Sequence, residues 1–328
     1  MTLAGEPQGD APPATRRLIL DGDYGVDDSI ALLYLAGQPD VQILGIGTVH
    51  GNAHAATAAR NALAVLEVAG LDGVPVAIGT ARPMAQPLEV SSAVHGHDGL
   101  GGRAPERVAR GPVETSAAGQ LVALAKAHPG ECTVLATGPL TNLAIALLLE
   151  PRLPSLVARV VLMGGTVLHP GNVAPLAEAN IRHDPEAADL VFAASWPIVQ
   201  VGLDLTMTTW LDDAHLARLA AAEGARGRFA WAILQHYLDF YLERHGRRSC
   251  PLHDPSAAFL ALHPEAATYL RAPVAVELRS EQSRGMLIVD RRERVVHDRP
   301  LVDLAMDLDR ARLADGVVEG LLAGGQAP

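Results

Sequence analysis

A segment near the amino terminus, residues 17–36, constrains the fold of this chain more than any other. A short apolar run, Leu18–Leu20, precedes a glycine-containing turn, and apolar residues at helical spacing follow. This pattern predicts a buried strand, a loop and a helix. Four carboxylates lie at the turn: Asp21, Asp23, Asp27 and Asp28. Like charges this close repel one another strongly, so the segment favours a bound cation.

The chemistry of these four side chains indicates which cation they suit. They offer oxygen ligands without a nearby Cys or His, which is typical of sites for hard cations such as Ca²⁺ or Mg²⁺. Asp27 and Asp28 also open the helix, where the macrodipole favours negative charge. The alternative is that one or two of the four are turn formers and helix caps. Their position after a first strand favours a ligand site, because open α/β sheets bind ligands at that edge.

Composition and charge indicate a globular protein that is a poor candidate for binding nucleic acid or anionic membranes. The chain has 328 residues, of which 49% are hydrophobic, and a formal net charge of −11. A net negative charge repels phosphates. Two cysteines, Cys132 and Cys250, give no disulfide framework, so we expect a reducing compartment and a cytoplasmic location. The sequence has no apolar run of the ~18 residues that a membrane-spanning helix needs.

Strand, loop and helix alternate through most of the chain. This pattern predicts an α/β fold with an open, mostly parallel, Rossmann-like sheet and helices on both faces. We expect one domain at 16–322, with disordered tails at 1–15 and 323–328, because both tails are rich in Ala, Gly and Pro. Three carboxyl-terminal elements complete the prediction: a helical stretch at 211–245, a hairpin with strands at 274–278 and 286–289, and a helix at 302–322.

Polar clusters recur where predicted strands end. They lie at 21–28, 48–52, 137–142 and 163–180. Because the carboxyl ends of parallel strands share one edge of a sheet, we expect these clusters to converge on one site. An irregular segment at 80–112 is long enough to be functional or mobile, and it contains a run of Gly and His residues that begins at His95.

The polar motifs together resemble a known family. They are Asp21-Gly-Asp23-Tyr-Gly-Val-Asp27-Asp28, Gly51-Asn52, the loop 95–101, Ala136-Thr-Gly-Pro-Leu-Thr-Asn142, Met163-Gly-Gly165, Gly171-Asn172, Ala177-Glu178-Ala-Asn180 and His253-Asp254-Pro255. In this order they resemble the motifs of the inosine-uridine type of nucleoside hydrolase, whose amino-terminal signature is Asp-x-Asp-Pro-Gly-x-Asp-Asp. Two positions depart from the family pattern: Tyr24 replaces the usual Pro, and Ala179 replaces a bulky Phe beside the nucleoside.

The resemblance implies the nucleoside hydrolase fold and a Ca²⁺ enzyme that hydrolyses ribonucleosides to free nucleobase and ribose. The implied Ca²⁺ ligands are the carboxylates of Asp23, Asp28 and Asp254 and the main-chain oxygen of Thr137. Asp23 is also the implied general base that takes a proton from water. The residues expected to bind the nucleoside substrate are Asp27, Asn52, His95, Met163, Asn172, Glu178 and Asn180. Asp21 is expected to orient the loop from behind, and the enzyme to be a homodimer or homotetramer.

The chemistry of N-glycosidic cleavage suits these residue types independently of the resemblance. The sugar passes through an oxocarbenium-like state, which carboxylates and amide oxygens stabilise. A metal ion orients the water and makes it more acidic. The nucleobase leaves as an anion unless it receives a proton, so His253 is a candidate general acid. The alternative for His253 is that it positions its neighbour Asp254.

Several residues, and the function itself, allow a second interpretation from the sequence alone. Asn142 fits the start of a helix better than a ligand, while His50, His97 and Asp204 fit structural roles equally well. The aromatic side chains between 229 and 241 fit either core packing or a mobile wall of the site. One alternative function is the hydrolysis of another N-riboside, such as nicotinamide riboside. The other is a non-catalytic, Ca²⁺-dependent binder of nucleoside or ribose.

Overall fold

The structure is a computed structural model that describes residues 15–293 and 298–323. Apart from Thr15 and Ala323, the predicted tails at 1–15 and 323–328 lie outside the described residues. Among these residues, no helix is both long and apolar enough to cross a membrane.

One sheet contains the nine described strands, in the order β3-β2-β1-β4-β5-β6-β9-β7-β8. The strands are β1 Arg16–Gly22, β2 Val41–Thr48, β3 Val76–Ile78, β4 Cys132–Ala136, β5 Arg159–Met163, β6 Ile198–Val201, β7 Ala267–Val276, β8 Leu287–Val289 and β9 Leu301–Leu308. Neighbours from β3 to β9 pair in parallel, whereas β7 is antiparallel to both β9 and β8. The predicted α/β class with a mostly parallel sheet is therefore confirmed.

Helices cover both faces of this sheet. They are α1 Val26–Ala36, α2 Ala55–Ala69, α3 Ser92–His95, α4 Ala117–Ala127, α5 Thr141–Leu149, α6 Leu153–Leu156, α7 Ala179–His183, α8 Pro185–Ala193, α9 Leu203–Thr206, α10 Asp213–Ala220, α11 Ala225–His245, α12 His253–Leu262 and α13 Arg310–Leu322. Successive β1 side chains point to opposite faces. Leu18 and Leu20 join the core under α1, α2 and α11–α13, while Ile19 joins the core under α4, α5 and α8.

The predicted helix at 302–322 is wrong in its first half. Residues Leu301–Leu308 form β9, which lies between β6 and β7 and pairs with both. The helix α13 begins at Arg310, after Asp309 accepts a hydrogen bond from Arg312 N. The local sequence mixes apolar and acidic residues without a clear period, so pairing with two strands that are distant in sequence decides its conformation.

Two further carboxyl-terminal predictions needed correction. The helical stretch at 211–245 is two helices, α10 and α11, because the chain adopts extended backbone at Gly224 immediately before α11. The predicted hairpin exists, but β7 begins at Ala267 rather than at Val274. Its first seven residues, up to Pro273, pair with β9, and Val274–Val276 pair with β8.

A close contact between α1 and α13 gives a stability prediction. A Cβ atom added at Gly37 would lie 2.2 Å from the main-chain oxygen of Gly320, whereas one added at Gly73 would meet nothing within 4 Å. We expect Gly37→Ala to lower the free energy of unfolding by ~1–3 kcal/mol through overpacking. The matched control Gly73→Ala should leave it nearly unchanged in urea titrations. Equal stability of the two variants would show that α13 moves away at little cost.

Candidate active site

The loop after β1 holds Asp23 in a buried position at the edge of the sheet. The Asp23 carboxylate accepts hydrogen bonds from Asn52 N at 2.6 Å and from Asn52 Nδ2 at 2.9 Å. Asn52 follows β2, the neighbouring parallel strand, so the expected convergence of these two polar clusters is confirmed. Asn52 Nδ2 also lies 3.3 Å from Asp28 Oδ2, so the Asn52 side chain links the carboxylates of Asp23 and Asp28.

The turn between Asp23 and α1 has an uncommon backbone. Tyr24 has φ of 38° and is the one non-glycine residue with positive φ in the described chain. This conformation costs ~1–3 kcal/mol in a bulky residue. Its carbonyl accepts a hydrogen bond from Asn61 Nδ2 at 3.1 Å, and its side chain is buried. Proline, with φ fixed near −65°, does not fit the conformation that Tyr24 adopts here.

The first turn of α1 presents Asp27 and Asp28 to the same site. Asp28 accepts hydrogen bonds from Gly25 N at 2.9 Å and from the Thr137 hydroxyl at 2.7 Å. Thr137 directly follows β4, on the other side of β1. Asp27 Oδ2 accepts a hydrogen bond from the Tyr237 hydroxyl at 3.2 Å.

Asp254 in the first turn of α12 completes an acidic cluster. One carboxylate oxygen from each of Asp27, Asp28 and Asp254 lies within 4.8 Å of the others. Asp254 Oδ2 is buried and has no hydrogen-bond partner. No lysine or arginine in residues 15–293 and 298–323 forms an ion pair with Asp23 or with these three aspartates. Such an all-oxygen set fits a hard divalent cation.

The electrostatics of the cluster support the same conclusion. Burial and the charge of Asp28 raise the pKa of Asp23 well above its usual value, and burial with four neighbouring carboxylates does the same for Asp254. Burial also raises the pKa of Asp27 to about 6. A nearby cation reverses such shifts because it stabilises the ionised carboxylates.

A second wall of the site comes from the end of β5 and the start of α7. Glu178 is buried and accepts hydrogen bonds from Gly165 N, Asn180 N and Ile181 N at 2.8, 2.9 and 3.2 Å. The Asn180 amide nitrogen donates to the main-chain oxygens of Thr137 and Met163, both at 3.0 Å. The Asn180 side-chain oxygen therefore remains available to a ligand.

The opposite wall is aromatic and histidine-rich. His95 stacks on Tyr237 with ring centroids 5.4 Å apart, and its Nδ1 accepts a hydrogen bond from Val26 N at 3.2 Å. Burial lowers the pKa of His95 to about 4, so the ring is neutral and its proton resides on Nε2. His253 Nε2 lies 2.9 Å from the Tyr241 hydroxyl and its Nδ1 lies 2.8 Å from the Thr206 hydroxyl.

These walls enclose a cavity of about 420 Å³. Most of the predicted substrate and metal residues line it: Asp27, Asn52, His95, Thr137, Met163, Asn172, Glu178, Asn180, His253 and Asp254. Asp23 and Asp28 lie beneath the lining and bond to Asn52, as described above. Ala179 also lines the cavity, and its N–H donates to Asn172 Oδ1 at 3.0 Å.

Comparison with known proteins identifies the family to which this arrangement belongs. A sequence-family model, that of the inosine-uridine preferring nucleoside hydrolases, matches residues 18–315. The chain belongs to this family. It is therefore an N-glycosyl hydrolase that acts on ribonucleosides.

Individual relatives and a solved structure agree with the assignment of this chain to the nucleoside hydrolase family. The chain is 39% identical to the probable uridine nucleosidase 2 of Oryza sativa subsp. japonica, over 81% of this chain and 80% of that protein. It is 36% identical to the inosine-uridine preferring nucleoside hydrolase of Crithidia fasciculata, over 90% and 94% of the two chains. A solved plant nucleoside hydrolase superposes with a TM-score of 0.90 at 33% identity, covering 95% of this chain and 100% of the other.

Some wall residues of the hydrolase were not predicted as site residues from the sequence. Tyr237, Phe240, Tyr241 and Arg244 of α11 all line the cavity. Their spacing of three and four residues places them on one face of the helix. The sequence left the three aromatic residues open between core packing and a wall of the site, and gave no prediction for Arg244. Phe229 and Trp231, from the same aromatic cluster, do not line the cavity and pack against the core instead.

The residues for which the sequence allowed either a structural or a functional role lie at different distances from the cavity. Asn142 donates to Asp21 Oδ2 at 2.9 Å and to the main-chain oxygen of Thr48 at 3.0 Å, so it links β1 and β2 from behind the site. His50 is buried beside the Thr141 hydroxyl at 3.1 Å. His97 is exposed and does not line the cavity. Burial raises the pKa of Asp21 to about 7.

The buried carboxyl group of Glu178 predicts how stability changes with pH. Burial raises its pKa from 4.5 to about 7 in the folded protein. The folded state thus binds this proton more tightly than the unfolded state, and stability falls as pH rises from about 4.5 to 7. In chelator-treated protein, Glu178→Gln should flatten this fall by up to ~3 kcal/mol in urea titrations. The exposed control Glu281→Gln should retain the wild-type slope, and a slope shared by all three proteins would contradict the prediction.

Proposed function

We propose that this enzyme is a Ca²⁺-dependent ribonucleoside hydrolase with uridine as a principal substrate. The observation that carries the cation dependence is the buried acidic cluster, in which Asp254 Oδ2 has no partner. The proposed substrate rests on similarity, because uridine stands in the names of plant relatives at 39% identity. The small side chain of Ala179 leaves room in the cavity, so we also expect activity on other nucleosides.

We propose that Asp23, Asp28, Asp254 and the main-chain oxygen of Thr137 bind the cation. The cation would orient the attacking water and the ribose hydroxyls and make that water more acidic. Asp28 is held from two sides by Gly25 N and the Thr137 hydroxyl, so its carboxylate is preorganised for this role. Asp21 lies behind the loop and, through Asn142, helps to fix it.

Asp23 is the proposed general base. Its carboxylate is clamped by two hydrogen bonds from Asn52, which orients it, and burial raises its pKa, which strengthens it as a proton acceptor. The water loses a proton to Asp23 as its oxygen bonds to the anomeric carbon and the N-glycosidic bond breaks. Positive charge that develops on the ribose is stabilised by the carboxylates of Asp27 and Glu178. Asn52, Asn172 and Asn180 are proposed to hold ribose hydroxyls.

The nucleobase is proposed to leave toward the aromatic wall. The His95 Nε2–H is a donor for the nucleobase, since Val26 N occupies the other ring nitrogen. Burial lowers the pKa of His253 to about 3, so its ring is neutral at pH 7 and is a poor general acid by itself. We therefore propose that the departing nucleobase takes its proton from the Tyr241 hydroxyl, that His253 Nε2, 2.9 Å away, returns a proton to Tyr241, and that solvent then reprotonates the His253 ring.

The products of the proposed reaction indicate a role for the enzyme in the cell. Free nucleobase and ribose are starting compounds for salvage, which is the role we propose. Cys132 and Cys250 are both free and buried, in keeping with the reducing cytoplasm expected from the sequence. The homo-oligomeric state stays a prediction.

Release of reducing sugar from a panel of nucleosides tests the proposed reaction and its base. We expect ribose and uracil from uridine, and slower release from at least one purine nucleoside. Asp23→Asn should lower kcat by ~10²–10⁴-fold or more, since it removes general base catalysis as well as a cation ligand. The exposed control Asp213→Asn should turn over normally. Uridine binding without ribose release in the wild type would favour a non-catalytic binder, and near-normal turnover of Asp23→Asn would remove it from the mechanism.

Cation content tests the proposed metal site separately from activity. Asp28→Ala should lose bound Ca²⁺ on dialysis, measured by elemental analysis. It should also lose the rise in Tm that Ca²⁺ gives the wild type, because ligand binding stabilises the folded state. The control Asp212→Ala removes an exposed carboxylate that caps α10 and should retain both properties. Wild-type Ca²⁺ content in Asp28→Ala would contradict this ligand assignment.

A further inference from the structure

The loop at 166–178 forms one side of the active-site cavity but buries few apolar side chains. His169, Asn172 and Val173 line the cavity. Three apolar side chains of the loop are largely exposed: Leu168 at 62%, Val173 at 50% and Leu176 at 44%. Hydrophobic burial therefore contributes little to the position of this loop over the cavity.

One carboxylate accepts most of the hydrogen bonds that the first part of this loop donates to other segments. Asp204 accepts the N–H groups of three consecutive residues: Val167 at 2.7 Å, Leu168 at 2.6 Å and His169 at 2.9 Å. Within the described residues, residues 170–173 have two further links to other segments, both through Asn172. These are Ala179 N at 3.0 Å and Arg244 at a long 3.5 Å.

Asp204 is itself fixed relative to the walls of the site. It lies in α9, a single helical turn that follows β6. Leu203 N donates to the Gly165 oxygen at 3.0 Å, and Leu203 lines the cavity. In the same helical turn, two residues after Asp204, the Thr206 hydroxyl lies 2.8 Å from His253 Nδ1. The carboxylate thus connects the loop to an element that contacts two walls of the cavity.

His169 is the residue of this turn whose side chain lines the cavity. Its carbonyl accepts a hydrogen bond from the Thr166 hydroxyl at 2.6 Å, which closes the turn. Its Nδ1 lies 2.7 Å from the Pro170 carbonyl, which can only accept, so Nδ1 carries a proton. Nε2 is the ring atom left for a substrate in the cavity.

We propose that Asp204 is a positioning residue for substrate binding, which holds the turn 167–169 so that His169 contacts the nucleoside. The proposal rests on the hydrolase function and adds a specificity-determining side chain, His169, to its site. It also assigns a role to Asp204, which the sequence left open between structure and function.

Asp204→Asn tests this role with little change in shape. The amide offers one acceptor oxygen where the carboxylate offers two, so its NH₂ group must face at least one N–H of 167–169. Amide hydrogen exchange, which does not depend on activity, should accelerate at these three residues. KM for uridine should rise about tenfold while kcat changes less than about twofold, because misplacement of a binding group weakens substrate binding before chemistry. The control Asp309→Asn makes the same exchange of carboxylate for amide at the start of α13, away from the cavity, and should leave KM unchanged.

His169→Ala and the double variant test whether Asp204 acts through His169. His169→Ala should raise KM by a similar factor, and the double variant should be no worse than His169→Ala alone, since coupled residues are not additive. A purely structural role for Asp204 predicts a lower Tm, unchanged KM and additive effects. Wild-type KM in His169→Ala, or additive losses in the double variant, would overturn the proposal even if wild-type uridine hydrolysis is normal.

Discussion

The structure depends on keeping several carboxylates buried close together at the end of one strand. Asp23, Asp27, Asp28 and Asp254 are all buried, and in buried surroundings their mutual repulsion is far stronger than at the surface. The neighbouring groups are donors: the Asn52 amide, the Thr137 and Tyr237 hydroxyls and main-chain N–H groups. These donors orient the carboxylates but do not neutralise them, which leaves that task to a cation.

The sheet topology explains why the cluster forms where it does. β1 lies between β2 and β4, so the strand order reverses beside it and a crevice opens at the carboxyl ends of these strands. Asp23 follows β1, Asn52 follows β2 and Thr137 follows β4. Short loops from three adjacent parallel strands thus supply a preorganised floor, and the helix dipole at the start of α1 favours the negative charges there.

The walls of the site are built by a different principle. Elements distant in sequence fold over the floor: Tyr237 on α11 reaches Asp27, and His253 on α12 lies between Tyr241 and Thr206. These contacts are long-range hydrogen bonds in a poorly hydrated environment, where orientation is worth more than in water. The loop 166–178 has few buried apolar contacts and depends on the carboxylate of Asp204. We therefore expect nucleobase range to be set by the aromatic wall and the loop 166–178, whereas the floor binds the cation together with Asp254 and the ribose together with the wall at β5 and α7.

The sequence by itself determined the fold class, the family and the polar residues of the floor, because these are encoded locally. An apolar run, a turn and a helix with fixed Asp spacing specify the end of β1 whatever the rest of the chain does. The tertiary structure decided what depends on pairing between distant segments. It made Leu301–Leu308 a strand, brought α11 against Asp27 and set Asp204 under His169. Local propensity cannot report such contacts, since their free energy comes from partners far along the chain.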